Sequence, residues 1–107
     1  MITHDNGLFS IQTEAYSYLF RINAYGLPEH LYFGAPVCDS DAAAFACRPG
    51  IGWGSSVVLS DKDPGSSQDV MALEWSFSGR GDYRESPLEL GGVSTDFRFA
   101  GAQILEG

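Results

Sequence analysis

A chain of 107 residues with 14 acidic and 6 basic side chains, net charge −8, suits one domain spanning 1–107, with a core just large enough to fold alone. That balance argues against nucleic acid or an anionic membrane surface as partner, since both call for clustered Lys and Arg. No apolar run approaches the ~20 residues of a membrane span, and Met1-Ile2-Thr3-His4-Asp5-Asn6 lacks the basic start and apolar stretch of a secretory leader, so the expected setting is cytoplasmic.

Asn6-Gly7 is a turn pair, and Leu8, Phe9, Ile11 and Thr13 begin an extended run after it. Residues 16–22 alternate, with Tyr16, Tyr18, Phe20 and Ile22 on one face and Ser17, Leu19 and Arg21 on the other. Tyr25-Gly26 ends that strand. His30-Leu31-Tyr32-Phe33 forms the next, closed by Gly34. Connections this short exclude a crossover helix, so the three strands are predicted to form an antiparallel meander.

From Asp39 to Ser56 the rhythm breaks. Ser40 or Asp41 is placed to cap one or two helical turns on Ala42-Ala43-Ala44-Phe45-Ala46, and Pro49, Gly50, Gly52 and Gly54 make the rest a loop. A connection of this length in a small domain is usually functional or disordered, and Trp53 between glycines favours docking or function. Further strands are predicted at Val57-Val58-Leu59, at 70–77 with Met71, Leu73, Trp75 and Phe77 on one face, and at 83–90. A turn separates the first two at 61–65, and Gly91-Gly92 makes another. Asp96-Phe97-Arg98-Phe99-Ala100 and Gln103-Ile104-Leu105 read as a last hairpin. Short strands punctuated by Gly and Pro define an all-β class, with an antiparallel β-sandwich as the architecture. The expected core is Phe20, Ile22, Leu31, Phe33, Leu73, Trp75 and Phe97.

Nucleophile elbows, phosphate-cradling glycine loops and metal-ligand clusters are missing from the sequence, so neither a metal nor another cofactor is expected. Ser10 and Ser17 stand in no triad motif. Cys38 and Cys47 are expected as reduced thiols, and no His lies at the spacing of a structural zinc site. Arg80-Gly81-Asp82 matches an integrin-recognition tripeptide, but a glycine turn leading into a strand accounts for it better.

Three segments in order carry a resemblance. Tyr18-Leu19-Phe20-Arg21, His30-Leu31-Tyr32-Phe33-Gly34 and Gly79-Arg80-Gly81-Asp82-Tyr83-Arg84 resemble the N-terminal β-sandwich (supersandwich) domain of bacterial multidomain retaining α-galactosidases. Ser86 and Pro87 depart from the Pro-Ala that often follows in that family. The resemblance implies a parent hydrolase that removes terminal α-1,6-linked galactose from melibiose- and raffinose-type sugars. It places the nucleophile and acid/base aspartates on a C-terminal barrel that this chain does not reach, so the chain alone is expected to be inactive. It also implies homo-oligomer contacts and a loop directed toward a neighbouring active site. By position that loop implicates Asp39, Asp41, Arg48 and Trp53. An Asp accepts hydrogen bonds from sugar hydroxyls and a Trp stacks on an apolar sugar face, while a capped short helix and a Trp packed in the sandwich explain the same residues equally well.

Two rival readings stand beside it. One is a free-standing carbohydrate-binding module with Tyr16, Tyr18, Tyr25, Tyr32, Trp53 and Trp75 as its platform. The other is a purely structural β-domain.

Overall fold

A computed structural model describes the chain over residues 1–46, 59, 71–75, 91 and 96–105. The described part is all-β apart from one short helix. Four antiparallel strands, β1 (Ile2–Asp5), β2 (Leu8–Gln12), β3 (Ser17–Ile22) and β4 (Pro28–Gly34), form a single sheet in the order β1-β2-β3-β4. The last three are the expected meander. β1 carries one strongly apolar residue and shows no alternation, so nothing in its own pattern announces it. Its pairing follows from the turn. Asn6 and Gly7 both take positive φ, 49° and 79°, the two-residue geometry whose twist matches a hairpin. They fold β1 back onto β2 with Asp5 opposite Leu8 and Ile2 opposite Ile11.

The other turns are built by side chains. Thr13 Oγ1 accepts the amides of Ala15 and Tyr16 between β2 and β3. Asn23 Oδ1 accepts those of Tyr25 and Leu27 between β3 and β4, where Gly26 takes φ 76°.

Between β3 and β4 the register slips. Leu19 opposes Tyr32 and Phe20 opposes His30, leaving Leu31 as an extra residue in β4. A bulge of this kind breaks the two-residue period. Leu31 and Tyr32 therefore both serve one face, and Phe33 crosses to the other beside Tyr18. A 3-10 helix, Asp39–Phe45, covers the first face. Leu19, Leu31 and Ala42 form the buried cluster there, flanked by Leu8, Tyr32, Val37, Phe45 and Ala46.

Four expectations change accordingly. Leu19, assigned to the side opposite the core, is 0% exposed, whereas Phe33, Trp75 and Phe97 of the expected core are 64%, 51% and 41% exposed. Neither Ser40 nor Asp41 caps the helix. Its N-cap is Cys38, which makes no side-chain capping bond, because the turn begins ahead of the alanines. The strand expected at 70–77 is reduced, over 71–75, to one bridge between Leu73 and Glu29, with Met71 buried and Trp75 turned outward. The final hairpin does not form either. Residues 96–105 carry no ladder, and Phe99 N–H donates to the Gly26 carbonyl at 2.7 Å. The strand at 83–90, the turn at 61–65 and all of 57–59 except Leu59 lie outside the described residues. The described residues contain one sheet.

Leu19→Ala is expected to cost about 2–5 kcal/mol, the range for truncating a fully buried leucine, and Phe33→Ala well under half of that. Urea denaturation of the two variants checks the assignment. Equal losses would mean that the aromatic face is packed as tightly as the helix face.

Candidate functional site

Alternation along β1–β4 sorts the candidate residues onto two faces. On the helix face a polar seam runs beneath residues 37–39. Ser10 and Ser17 are almost fully buried there. Ser10 Oγ donates to Asp39 Oδ1 at 2.6 Å, and Gln12 Nε2 donates to the same oxygen at 2.9 Å and to the Val37 carbonyl at 3.1 Å. Ser17 Oγ donates to Gln12 Oε1 and accepts the Val37 amide at 2.9 Å. Both serines are thus committed to docking the helix segment on the sheet.

Asp39 is the link in that seam. Hydrogen bonds from Ser10, then Gln12, and to a lesser extent Thr3 hold its carboxyl below the ordinary carboxylate range, against a small opposing effect of burial. Asp41 sits on the same helix with its side chain exposed, and its amide donates to the Cys38 carbonyl at 3.1 Å. Cys38 is exposed and free. Arg48, Trp53 and Cys47 lie outside the described residues, as does Arg80-Gly81-Asp82.

The opposite face is a row of rings. His4 stacks on Phe9 with centroids 3.9 Å apart, Phe9 stacks on Phe20 at 4.8 Å, and Tyr18 follows at 5.4 Å. Phe33 lies 5.9 Å from Tyr18, and Tyr16 5.5 Å from Phe33. Phe99 meets His4 and Phe9 edge-on. An apolar groove of about 440 Å³ runs between Phe9, Phe20 and Ile22 on the sheet and Trp75, Phe97 and Phe99 above it. Tyr16, Phe33 and Trp75 remain exposed along this face. Of the other rings named for a sugar platform, Tyr32 is turned to the helix face, where it packs on Phe45 at 4.7 Å.

Two polar clusters escape a reading of the sequence. Glu74 Oε1 meets His30 Nδ1 at 2.7 Å and accepts the Tyr18 hydroxyl. Burial, then that bond and the negative charge of Glu74, push the Tyr18 phenol well above its usual range. On the helix side Glu29, 1% exposed, pairs with Arg21 Nη2 at 3.3 Å and accepts Asn23 Nδ2 at 3.3 Å. Glu74 lies 44 positions from His30, so no local motif signals the contact. Register alone would have joined Arg21 to Glu29, which are direct cross-strand partners.

Among the described residues no three His, Cys, Asp or Glu side chains are grouped to hold a metal, and no helix is long and apolar enough to cross a membrane. Comparison with protein-family models, with curated proteins and with solved structures finds no match.

Two titrations test these assignments. A depressed folded pKa means that Asp39 adds stability above the ordinary carboxylate value of about 4, and that this is lost as pH falls through its lower folded value. Asp39→Asn should therefore lose less stability than wild type below that pH, and superimposable acid-denaturation curves would deny Asp39 its part in the seam. For Tyr18 the sign is reversed. Its raised pKa adds stability that is complete below about 10 and lost as pH climbs beyond it. Phenolate absorbance should show one tyrosine ionising late in wild type and earlier in Glu74→Gln. No change on that substitution would remove Glu74 as its partner.

Proposed function

We propose that this chain is the N-terminal, non-catalytic β-sandwich domain of a retaining α-galactosidase, docked through its aromatic face against the rest of a larger, cytoplasmic, homo-oligomeric enzyme. The open aromatic face carries the reading. Tyr16, Phe33 and Trp75 leave apolar ring surface in water on a chain whose net charge otherwise favours solubility. Two of the three segments that carry the family resemblance also fall on adjacent strands, β3 and β4, with Phe20 opposite His30 and Arg21 opposite Glu29.

Of the loop residues proposed to approach a galactoside, Asp41 is better suited than Asp39, whose carboxylate is occupied by Ser10 and Gln12. Arg48 and Trp53 remain part of the proposal by position. Retaining cleavage requires two carboxyl groups about 5–5.5 Å apart in a pocket that separates their pKa values, and the reading places that pair in the enzyme's barrel.

The exposed rings also favour a second reading, a carbohydrate-binding platform on the aromatic face, because aromatic faces stack on apolar sugar faces. Calorimetric titration of the isolated chain with melibiose and raffinose separates the two. Saturable binding abolished by Trp75→Ala would favour the platform. The domain reading expects no binding by the isolated chain, and α-galactosidase activity from the product of the complete reading frame. In that enzyme, Phe33→Asp should weaken assembly while leaving the fold of the isolated chain intact. A parent protein inactive on chromogenic α-galactosides would end the family assignment.

A further inference from the structure

The two edges of the sheet are treated differently. The β4 edge is covered by residues 71–75: His30 N–H donates to the Ala72 carbonyl at 2.6 Å, Glu74 N–H donates to the Pro28 carbonyl at 2.8 Å, and Leu73 bridges Glu29. Nothing among the described residues covers β1 in this way.

The phase of the ladder fixes what β1 offers. Met1 and Gln12 exchange both of their backbone bonds, at 2.6 and 2.8 Å. Bonded pairs alternate with non-bonded ones in an antiparallel ladder, so they recur at Thr3–Ser10 and Asp5–Leu8. The N–H and C=O groups of Ile2 and His4 therefore point away from β2, along the edge. Natural edges are commonly guarded by charged side chains, proline, a bulge or sheer brevity; β1 is short but has no proline or bulge, and its one charge, Asp5, lies at the turn end.

We propose that two copies of the chain pair through their β1 edges, antiparallel about a two-fold axis at Thr3, joining two sheets into one. The edge is self-complementary in this register. Ile2 opposes His4 of the partner subunit and His4 opposes the partner's Ile2, each pair exchanging both of its bonds. Thr3 meets the partner's Thr3 in the closer non-bonded pair, a favourable cross-strand match. Asp5 falls opposite the partner's Met1, so no two carboxylates confront each other, although each chain carries net charge −8. Ile2 is exposed and shares the aromatic face with His4, so the row of rings continues across the junction. A one-residue slip would send Ile2 to the opposite face from its neighbours. A four-residue strand pairing falls short of the ~1,200–2,000 Å² of a standard interface, which makes the dimer weak and concentration-dependent. The proposal stands independently of the α-galactosidase reading.

Sedimentation equilibrium of the full chain tests it. The weight-average mass should rise from 11.6 kDa toward twice that value with concentration. His4→Pro removes an outward N–H while leaving every β1–β2 bond, and Ile2→Lys sets a charge on the edge. Each should hold the chain monomeric with an unchanged circular dichroism spectrum. In a Cys38→Ser, Cys47→Ser background, Thr3→Cys should form a disulfide-linked dimer on mild oxidation much faster than Asp5→Cys. This second measurement stands even if either edge variant misfolds. A chain monomeric at every concentration, or cross-linking equal at positions 3 and 5, would overturn the proposal. So would a dimer that survives both folded edge variants and dissociates only with Phe33→Asp, which would place the contact on the aromatic face.

Discussion

The extra residue at Leu31 is the constraint on which the described structure turns. A strand of strict two-residue period would put Leu31 and Phe33 on one face and His30 and Tyr32 on the other. By inserting one residue opposite the Leu19/Phe20 step, β4 gives both Leu31 and Tyr32 to the helix and delivers Phe33 to Tyr18. Leu19 then has Leu31 and Ala42 as neighbours in a dry cluster, and Tyr32 reaches Phe45. The same slip completes the ring row on the other side. A strand without it would expose Leu31 or bury Phe33 beneath a helix made largely of alanine.

The helix is held to the sheet by polar bonds as well as by the Leu19, Leu31 and Ala42 cluster. Alanine side chains bury little apolar surface, so a short 3-10 helix of Asp39–Phe45 needs other support. Ser10, Gln12 and Ser17 supply it by converging on Asp39 and the backbone of Val37. Beyond this seam lies a costlier arrangement. Glu29 is buried against the half-buried Arg21 and Asn23, and Arg21 Nε is itself buried with no hydrogen-bond partner, a penalty of about 1–3 kcal/mol. Such a cluster adds little net stability, and removing one partner leaves a buried charge exposed to its full desolvation cost. Its return is geometric. Asn23 uses its oxygen to close the β3–β4 turn and its nitrogen to reach Glu29 and Met71, fixing where residue 71 approaches the sheet.

The sequence made legible whatever depends on local periodicity. Asn6-Gly7 announced its turn because only two-residue loops with positive φ fit that twist, and the ring positions of residues 16–22 all fall on one face as their alternation implies. The choice of buried face was not legible. Aromatic residues are larger than Leu19, so size pointed to Phe20 and Ile22, whereas the covering helix decides the matter and its docking rests on Asp39, 29 positions from Ser10. β1 was invisible for a similar reason: pairing to β2 holds it, and no apolar pattern of its own does. Trp75 and the segment at 96–105 failed as strands because strand-like composition does not guarantee a ladder partner. At the candidate site, the acidic character of residues 39–41 was evident, but that Asp39, exposed like Asp41, is the one bonded to Ser10 and Gln12 required three dimensions.

The unequal treatment of the two faces has a physical logic. The leucines are concentrated where the helix excludes water. Aromatic rings pair with one another through stacked and edge-on contacts that survive partial exposure. A row from His4 to Phe33 can therefore hold its own order on an open face, as the 4–6 Å ring spacings indicate. The hydrogen bonds that Glu74 makes to Tyr18 and His30 pin one side of that row, and Phe99, tied to Gly26 through its amide, pins the other. A surface ordered in advance loses less conformational entropy on meeting a partner than a surface of mobile aliphatic chains would. The row thus supports the sheet on the side away from the helix.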